Sequence, residues 1–393
     1  MILTDKQHEG LKIALQRYQD GEKYTVIAGY AGTGKSTLIK FIIAALGVEE
    51  DEVAYVAYTG KAATVLAEKG CANATTAHKL LYYSKQLPDG KFFHRPRPKY
   101  EMKYRVIVVD EVSMLPRSLW NLLISHDVYV IACGDPFQLP PVAKDDTHNL
   151  LDNPHIFLDE IMRQAQESEI IQMSMLVREG KPLPLFKGKD VQVISADELV
   201  TGMYSWADQI LCATNKTRND INAQMRAMNK MPLAPQAGDK VICLKNHWDV
   251  FSSDNSPLTN GVIGTMKNLK KSFMYLPRYI CEQGKIDTLT ADIELENGEI
   301  FYDICMDYKS IAEGEKTLTG KGEYLYSKNK NLPDEPPFEM AYGYAITVWK
   351  AQGSEWDNVL LFEESFPFDK VEHQKYLYTG ITRAAKKIVI VKG

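Results

Sequence analysis

No apolar run in the chain approaches the roughly 20 residues a membrane-spanning helix needs, which argues against a bilayer span. The six cysteines (Cys71, Cys133, Cys212, Cys243, Cys281, Cys305) stand far apart, with no C-x-x-C pair and no neighbouring histidine pair. That scatter speaks against a zinc site or a disulfide framework. It favours a reducing, cytoplasmic setting. Residues 1–10 are polar and charged, unlike a secretory leader. Positive charge is not in excess: the formal net charge is −5, so any nucleic-acid site must be a local groove. Internal repeats and low-complexity tracts are absent too. What remains is an ordinary globular composition, 45% hydrophobic and 25% charged over 393 residues, enough for two to four domains.

Against that background one stretch stands out, Gly29-Tyr-Ala-Gly-Thr-Gly-Lys-Ser36, which fits G-x-x-x-x-G-K-[ST]. Tyr24 to Ala28 (YTVIA) reads as a buried strand before it, and Thr37 to Leu46 as a helix after it. A strand, a glycine turn and a helix N-terminus make a nest of backbone N–H groups suited to polyphosphate. Gly29, Gly32, Thr33, Gly34, Lys35, Ser36 and Thr37 are therefore the candidate ATP-binding residues. Lys35 is expected to reach the β- and γ-phosphates, and the Ser36 hydroxyl to reach Mg²⁺. Upstream, Thr4 and Gln7 have the spacing of a capping box. Gln7 equally suits the adenine edge, since an amide matches both a donor and an acceptor. Spacing leaves both roles open.

Val106-Ile-Val-Val-Asp-Glu-Val-Ser113 is an apolar strand ending in two carboxylates. Asp110 is placed to complete a Mg²⁺ shell, and Glu111 to orient and deprotonate an attacking water. No carboxylate cluster beyond this pair stands out, which disfavours a nuclease. The next strand runs into Gly134-Asp-Pro-Phe-Gln-Leu-Pro-Pro-Val142, where Asp135 and Gln138 can approach the γ-phosphate and the prolines stiffen a relay. Thr59-Gly-Lys-Ala-Ala63 and Thr75-Thr-Ala-His78 open helices after strands. Hydroxyls at helix starts are usually caps, and helix N-termini carrying Thr, Lys and His are also the groups that hold a backbone phosphate. Between them and the carboxylate strand, residues 82–105 look like an inserted basic hairpin turning at Pro88-Asp-Gly90. With Phe92 and Phe93 it suits a wedge against bases, or else a solvated loop folded onto the core.

The second half carries Arg163 just inside a helical pattern and Arg383 where a helix enters the last strand. Arginines in a second α/β unit can reach across a cleft to a γ-phosphate. Asp239 to Glu339 shows short alternating runs and many turns, which predicts a small all-β insertion.

Taken in order, these stretches resemble a superfamily 1 helicase over nearly the whole chain, most closely the 5′→3′ branch with its RecD-like and Dda-like members. Gly134 to Val142 is the discriminating piece. Trp349-Lys-Ala-Gln-Gly-Ser354 and Tyr378-Thr-Gly-Ile-Thr-Arg-Ala384 also match family motifs. The resemblance implies an α/β fold of two RecA-like P-loop domains with ATP between them, a small pin insertion and a β-rich, SH3-like insertion. The boundaries it implies are 1–147 with the pin near 82–105, then 148–238 with 340–393, and 239–339 for the β-rich part. It implies that Lys35, Glu111, Gln138, Arg163 and Arg383 are catalytic, that Gln7 and Glu355 border the nucleotide, and that Ser36 and Asp110 hold the metal. Thr59, Lys61, His78, Asn260, Thr347 and Lys350 fall in or beside stretches that line the single-strand groove, and Phe92 and Phe93 sit in the pin. The expected partners are single-stranded DNA and forked duplex, with replication or repair proteins besides, and the expected state is a monomer. A 3′→5′ helicase and a non-unwinding, ATP-gated strand-binding module are the rival readings.

Overall fold

The computed structural model describes residues 3–86, 92–140, 150–254, 256–333, 335–365 and 369–393. At Glu68, residues 84–86 and 92–94, Arg163, Gln164, Trp248 and Asp249 it describes the backbone alone. The chain divides into two compact units. One is built from Met1–Ser84, His94–Ala213 and Ala351–Gly393, the other from Lys85–Phe93 and Thr214–Lys350.

The first unit is organised by two sheets. In spatial order the first runs Ala74–Thr76, Val53–Ala57, Val106–Val109, Tyr129–Gly134, Tyr24–Gly29, Ile156–Leu158, and every neighbouring pair is parallel. Its strands read as unbroken apolar runs because both faces are covered. Ile27, Tyr55, Val108 and Ile131 pack on one side with Leu38 and Ile42 of the helix Lys35–Ala45. Val26, Val56, Val109 and Val130 pack on the other with Leu119, Trp120 and Leu123 of the helix Arg117–Ile124. Parallel strands end at one common edge, so the loops after Gly29, Ala57, Val109 and Gly134 must gather there. That single fact brings together motifs that lie a hundred residues apart.

The second sheet of this unit pairs Gln209–Cys212 with Trp356–Phe362, that strand with Ala384–Lys392, and that in turn with Val191–Ser195, all parallel. Phe186–Lys187 adds an antiparallel edge. The helices Glu169–Arg178 and Lys370–Ile381 pack against each other beside it.

In the second unit a five-stranded antiparallel sheet runs Ile300–Asp307, Lys285–Glu294, Ile263–Tyr275, Lys240–Cys243, Met340–Tyr342. Its core includes Val241, Leu289, Ile293, Phe301 and Met306. The expectation of an all-β insertion needs correction, because Tyr308–Glu313 and Lys321–Lys328 are helices. Buried Asp307 starts the first of them. Its carboxylate accepts from the Lys309 N–H (3.0 Å), the Thr317 N–H (2.7 Å) and the Thr317 hydroxyl (2.8 Å), so it ends the strand and caps the next helix. Asp239 is fully buried and bound through two oxygens by Arg226 (2.9 and 3.1 Å), which also donates to the carbonyls of Leu233 and Ala234.

Tyr82–Gln86 and Phe92–Pro96 form a two-stranded sheet of their own. The turn expected at Pro88-Asp-Gly90, the side chains of Phe92 and Phe93, and the boundary drawn at 147/148 lie outside the described residues. No helix among the described residues is long and apolar enough to cross a membrane.

Candidate active site

The glycine loop leaves the strand Tyr24–Gly29 and enters the helix Lys35–Ala45 through Gly34, which sits at φ +78° with no side-chain cap. A side chain at Gly34 would be strained by that φ. Its Cβ would also lie 2.5 Å from the Gln7 amide nitrogen. The first-turn N–H groups of the helix are thus left without a side-chain acceptor, which is the cradle that phosphate oxygens fit. Lys35 Nζ donates to the carbonyls of Gly29 (2.8 Å) and Tyr30 (3.0 Å), and the Thr33 hydroxyl also donates to Tyr30 O (2.8 Å). Lys35, Ser36, Asp110, Glu111, Gln138 and Arg383 line one cleft of about 280 Å³, together with Thr59 and Glu355.

Asp110 and Glu111 follow the strand Val106–Val109. Asp110 Oδ1 accepts from the Glu111 N–H (3.0 Å) and the Cys133 thiol (3.2 Å). Glu111 adopts left-handed backbone (φ +48°, ψ +51°), a conformation that residues other than glycine rarely take. Withdrawal from water pushes the Glu111 carboxyl above the ordinary range, against the opposing pull of Arg383. Arg383 is buried. It donates to Glu111 Oε1 (3.3 Å), to Ser354 O (3.2 Å) and to Thr379 O (3.2 Å). A carboxylate whose proton affinity is raised by burial is suited to accept a proton. No group of three or more His, Cys, Asp or Glu side chains among the described residues could hold a metal. The Ser36 hydroxyl and the Asp110 carboxylate are hard oxygen donors in one cleft, and they fit a divalent cation shared with phosphate oxygens.

The segment after Gly134 is tied to the helix Lys370–Ile381, more than two hundred residues later. The Tyr378 hydroxyl donates to Asp135 Oδ2 (2.5 Å) and accepts from the Ala31 N–H of the glycine loop (2.8 Å). The Tyr378 ring meets Phe137 edge-on at 5.3 Å, and the Leu139 N–H donates to the Thr379 hydroxyl (2.8 Å). The Gln352 amide donates to Leu139 O. Burial, with Asp135 adding to it, drives the Tyr378 hydroxyl far above its usual range, so it stays a donor. On the other side of the loop the Arg178 guanidinium lies 3.8 Å from the Tyr30 ring centroid. Adjacent loop residues, Tyr30 and Ala31, are therefore held by two packed helices.

Gln7 takes part in the capping box, with Thr4 N–H to Oε1 at 3.1 Å. At the same time its amide nitrogen faces the carbonyls of Thr33 (3.3 Å) and Gly34 (3.4 Å). Capping and loop contact thus coexist in one side chain. Thr37 is half-buried in the helix after the loop, and Glu355 pairs with Lys69 (2.5 Å). Arg163 opens the helix Arg163–Gln166, directly after Met162, whose N–H donates to Gly32 O (2.9 Å); its side chain is outside the description.

Of the expected strand-groove residues, Thr59 caps the helix Gly60–Glu68, Lys61 lies over the Trp356 ring (4.2 Å), and His78 stacks near Tyr82 (6.0 Å). These three belong to the first unit. In the second unit Lys350 Nζ contacts Asn260 Oδ1 and donates to Leu244 O (3.4 Å), while Thr347 is buried in a strand. Burial lowers the Lys350 ammonium to about 8. The sequence reading missed Tyr378, Thr379, Gln352 and Arg178. A tyrosine within an apolar helical pattern looks like core, and only the depth of Asp135 reveals it as a polar partner.

A family model described as an AAA domain matches residues 3–201, and one described as a UvrD-like helicase C-terminal domain matches residues 342–391. The ATP-dependent RecD2 DNA helicase of Deinococcus radiodurans is 29% identical over 384 residues, covering 93% of this chain and 46% of that protein. The ATP-dependent DNA helicase dda of phage T4 is 23% identical over 450 residues and covers 99% of each chain. A Bacteroides Pif1 helicase, solved with ADP-AlF3 and single-stranded DNA, shares the fold at a TM-score of 0.50 and 19% identity, covering 99% of this chain and 92% of that one. The chain spans less than half the length of the Deinococcus relative.

Proposed function

We propose, from the premise that the chain belongs to the AAA domain family its residues 3–201 match, that it is an ATP-dependent DNA helicase of the 5′→3′ branch of superfamily 1. It translocates 5′→3′ on single-stranded DNA and unwinds forked duplex ahead of it. In this reading residues 1–147 form one RecA-like half and residues 148–238 with 340–393 the other, while 239–339 are inserted. The observation that carries it is Arg383, contributed by the last helix–strand junction and 3.3 Å from Glu111 at the glycine-loop cleft.

The chemistry follows from those positions. Lys35 exchanges the carbonyls of Gly29 and Tyr30 for phosphate oxygens, and Gln7 turns its amide to the adenine edge. Ser36 and Asp110 hold Mg²⁺, which when bound neutralises charge on the phosphates. Glu111 accepts a proton from the attacking water, and Gln138 helps to orient that water. Arg383 leaves Glu111 for the γ-phosphate and Arg163 joins it, so charge built up in the transition state is met by fixed cations. Tyr378 and Thr379 carry the resulting shift to the Asp135–Leu139 segment. Thr59, Lys61, His78, Asn260, Thr347 and Lys350 contact the strand.

ATP hydrolysis measured with and without single-stranded DNA tests the reading. Wild type is expected to be stimulated by DNA, and Glu111→Gln to bind ATP yet show no single-turnover cleavage. Cleavage by Glu111→Gln at the wild-type rate overturns it.

A further inference from the structure

Most large aromatic side chains of a folded unit are buried, because their area dominates core energetics. One end of the second unit departs from that rule. Phe273, Tyr275, Tyr279 and Tyr324 are 49%, 74%, 64% and 62% exposed. Phe273 and Tyr275 alternate on the outer face of the strand Ile263–Tyr275, and their ring centroids are 4.8 Å apart in an edge-on contact. Lys285 stands opposite Tyr275 in the register and reaches to 5.8 Å from the Phe273 ring. Tyr324, on the helix Lys321–Lys328, has Lys328 at 5.6 Å, and Tyr279 accepts a hydrogen bond from Asn329 at the end of that helix (3.0 Å). The strand that carries Phe273 and Tyr275 is braced from its other face, where Met274 and Ile286 pack with Leu276, Ile280, Leu318 and Tyr326.

Charge at this end is opposite to that of the chain. Between residues 270 and 285 four cations (Lys270, Lys271, Arg278, Lys285) accompany one anion, Glu282, although the whole protein carries −5. Lys285 is partly balanced by Asp287 (2.7 Å). Exposed rings on a rigid base, interleaved with cations, match a strand whose bases stack and whose phosphates need neutralising. A protein partner would be matched better by a contiguous apolar core with few lysines.

We propose that the face formed by Phe273 and Tyr275 with Lys271 and Lys285 binds single-stranded nucleic acid, as a contact additional to the strand groove. It stacks bases on the two rings and pairs phosphates with Lys271 and Lys285. The proposal rests on the helicase reading only in taking single-stranded DNA as the ligand.

Fluorescence anisotropy with deoxythymidine oligonucleotides of about 8 and about 30 nucleotides separates the two contacts, since one groove is filled by roughly the shorter length. Wild type is expected to bind the longer strand at least about tenfold more tightly, and Phe273→Ala/Tyr275→Ala to lose that gain while holding the shorter strand as wild type does. Photocrosslinking of a 5-iododeoxyuridine strand to wild type, read by mass spectrometry, is expected to label the tryptic peptide 272–278. A double variant that keeps the long-strand gain, or crosslinks confined to other peptides, overturns the proposal. Wild type blind to the short strand, yet bound by the long one through these rings, would overturn the groove reading and leave this one standing.

Discussion

Replacing Arg383 with alanine removes the one cation that the second half of the first unit places against Glu111 among the described residues. Three consequences can be sized separately. An arginine that meets transition-state charge contributes about 10³–10⁵ in rate, which at about 1.36 kcal/mol per decade is roughly 4–7 kcal/mol of barrier. The variant also loses the attraction that opposes desolvation at Glu111, so that carboxyl, already raised, moves further up. A base works only above its pKa, and the acid limb of kcat/KM, which reports the free enzyme where Arg383 still pairs with Glu111, therefore shifts to higher pH in Arg383→Ala. The structural cost is smaller than the about 3–5 kcal/mol of breaking a fully buried pair, because the Glu111 side chain keeps 22% of its surface and can rehydrate. Steady-state ATP hydrolysis across pH, beside a titration with a fluorescent nucleotide, reads all three. Nucleotide binding should survive while turnover nearly vanishes. Turnover within about tenfold of wild type, or binding lost in parallel with it, refutes the assignment.

Tyr378→Phe keeps the ring against Phe137 but strands the Ala31 N–H and an Asp135 oxygen in a buried place. The loss should be about 2–4 kcal/mol, seen as a melting temperature several degrees lower and as DNA stimulation of ATPase reduced more than basal activity. Melting indistinguishable from wild type would refute the link. Lys350 is held at about 8 by burial, and a lysine is charged below its pKa, so wild-type affinity for single-stranded DNA should decline as pH rises from roughly 7 to 9. Lys350→Arg stays charged over that range and should give a flat profile. Parallel profiles in anisotropy titrations would refute the phosphate contact.

The nucleotide cleft was legible in the sequence because its parts are short motifs at strand ends, and parallel strands deliver their ends to one edge. Lys35, Ser36, Asp110, Glu111 and Gln138 meet for that reason, and Arg383 joins them from the last helix–strand junction of the second sheet. Legibility failed where a residue's partner is tertiary. Tyr378 sits in a motif read for its arginine, and nothing local shows that its hydroxyl lies between Asp135 and the glycine loop. Glu111 gave no hint of its left-handed backbone, which no residue type there demands. The helices after Asp307 were hidden by turn-rich flanks, while the cap that starts the first depends on Thr317, ten residues on. Gln7 could not be resolved by spacing because its two ends do different work: the amide oxygen caps a helix and the amide nitrogen faces the loop.

The central claim is directional unwinding driven by ATP, and strand separation on matched forks measures it directly. Two labelled duplexes of one sequence, one with a single 5′ tail and one with a single 3′ tail, are mixed with the protein with and without ATP and Mg²⁺. The account predicts ATP-dependent separation of the 5′-tailed duplex and little of the 3′-tailed one. Preferential separation of the 3′-tailed duplex, or none of either while DNA-stimulated hydrolysis proceeds, would contradict it.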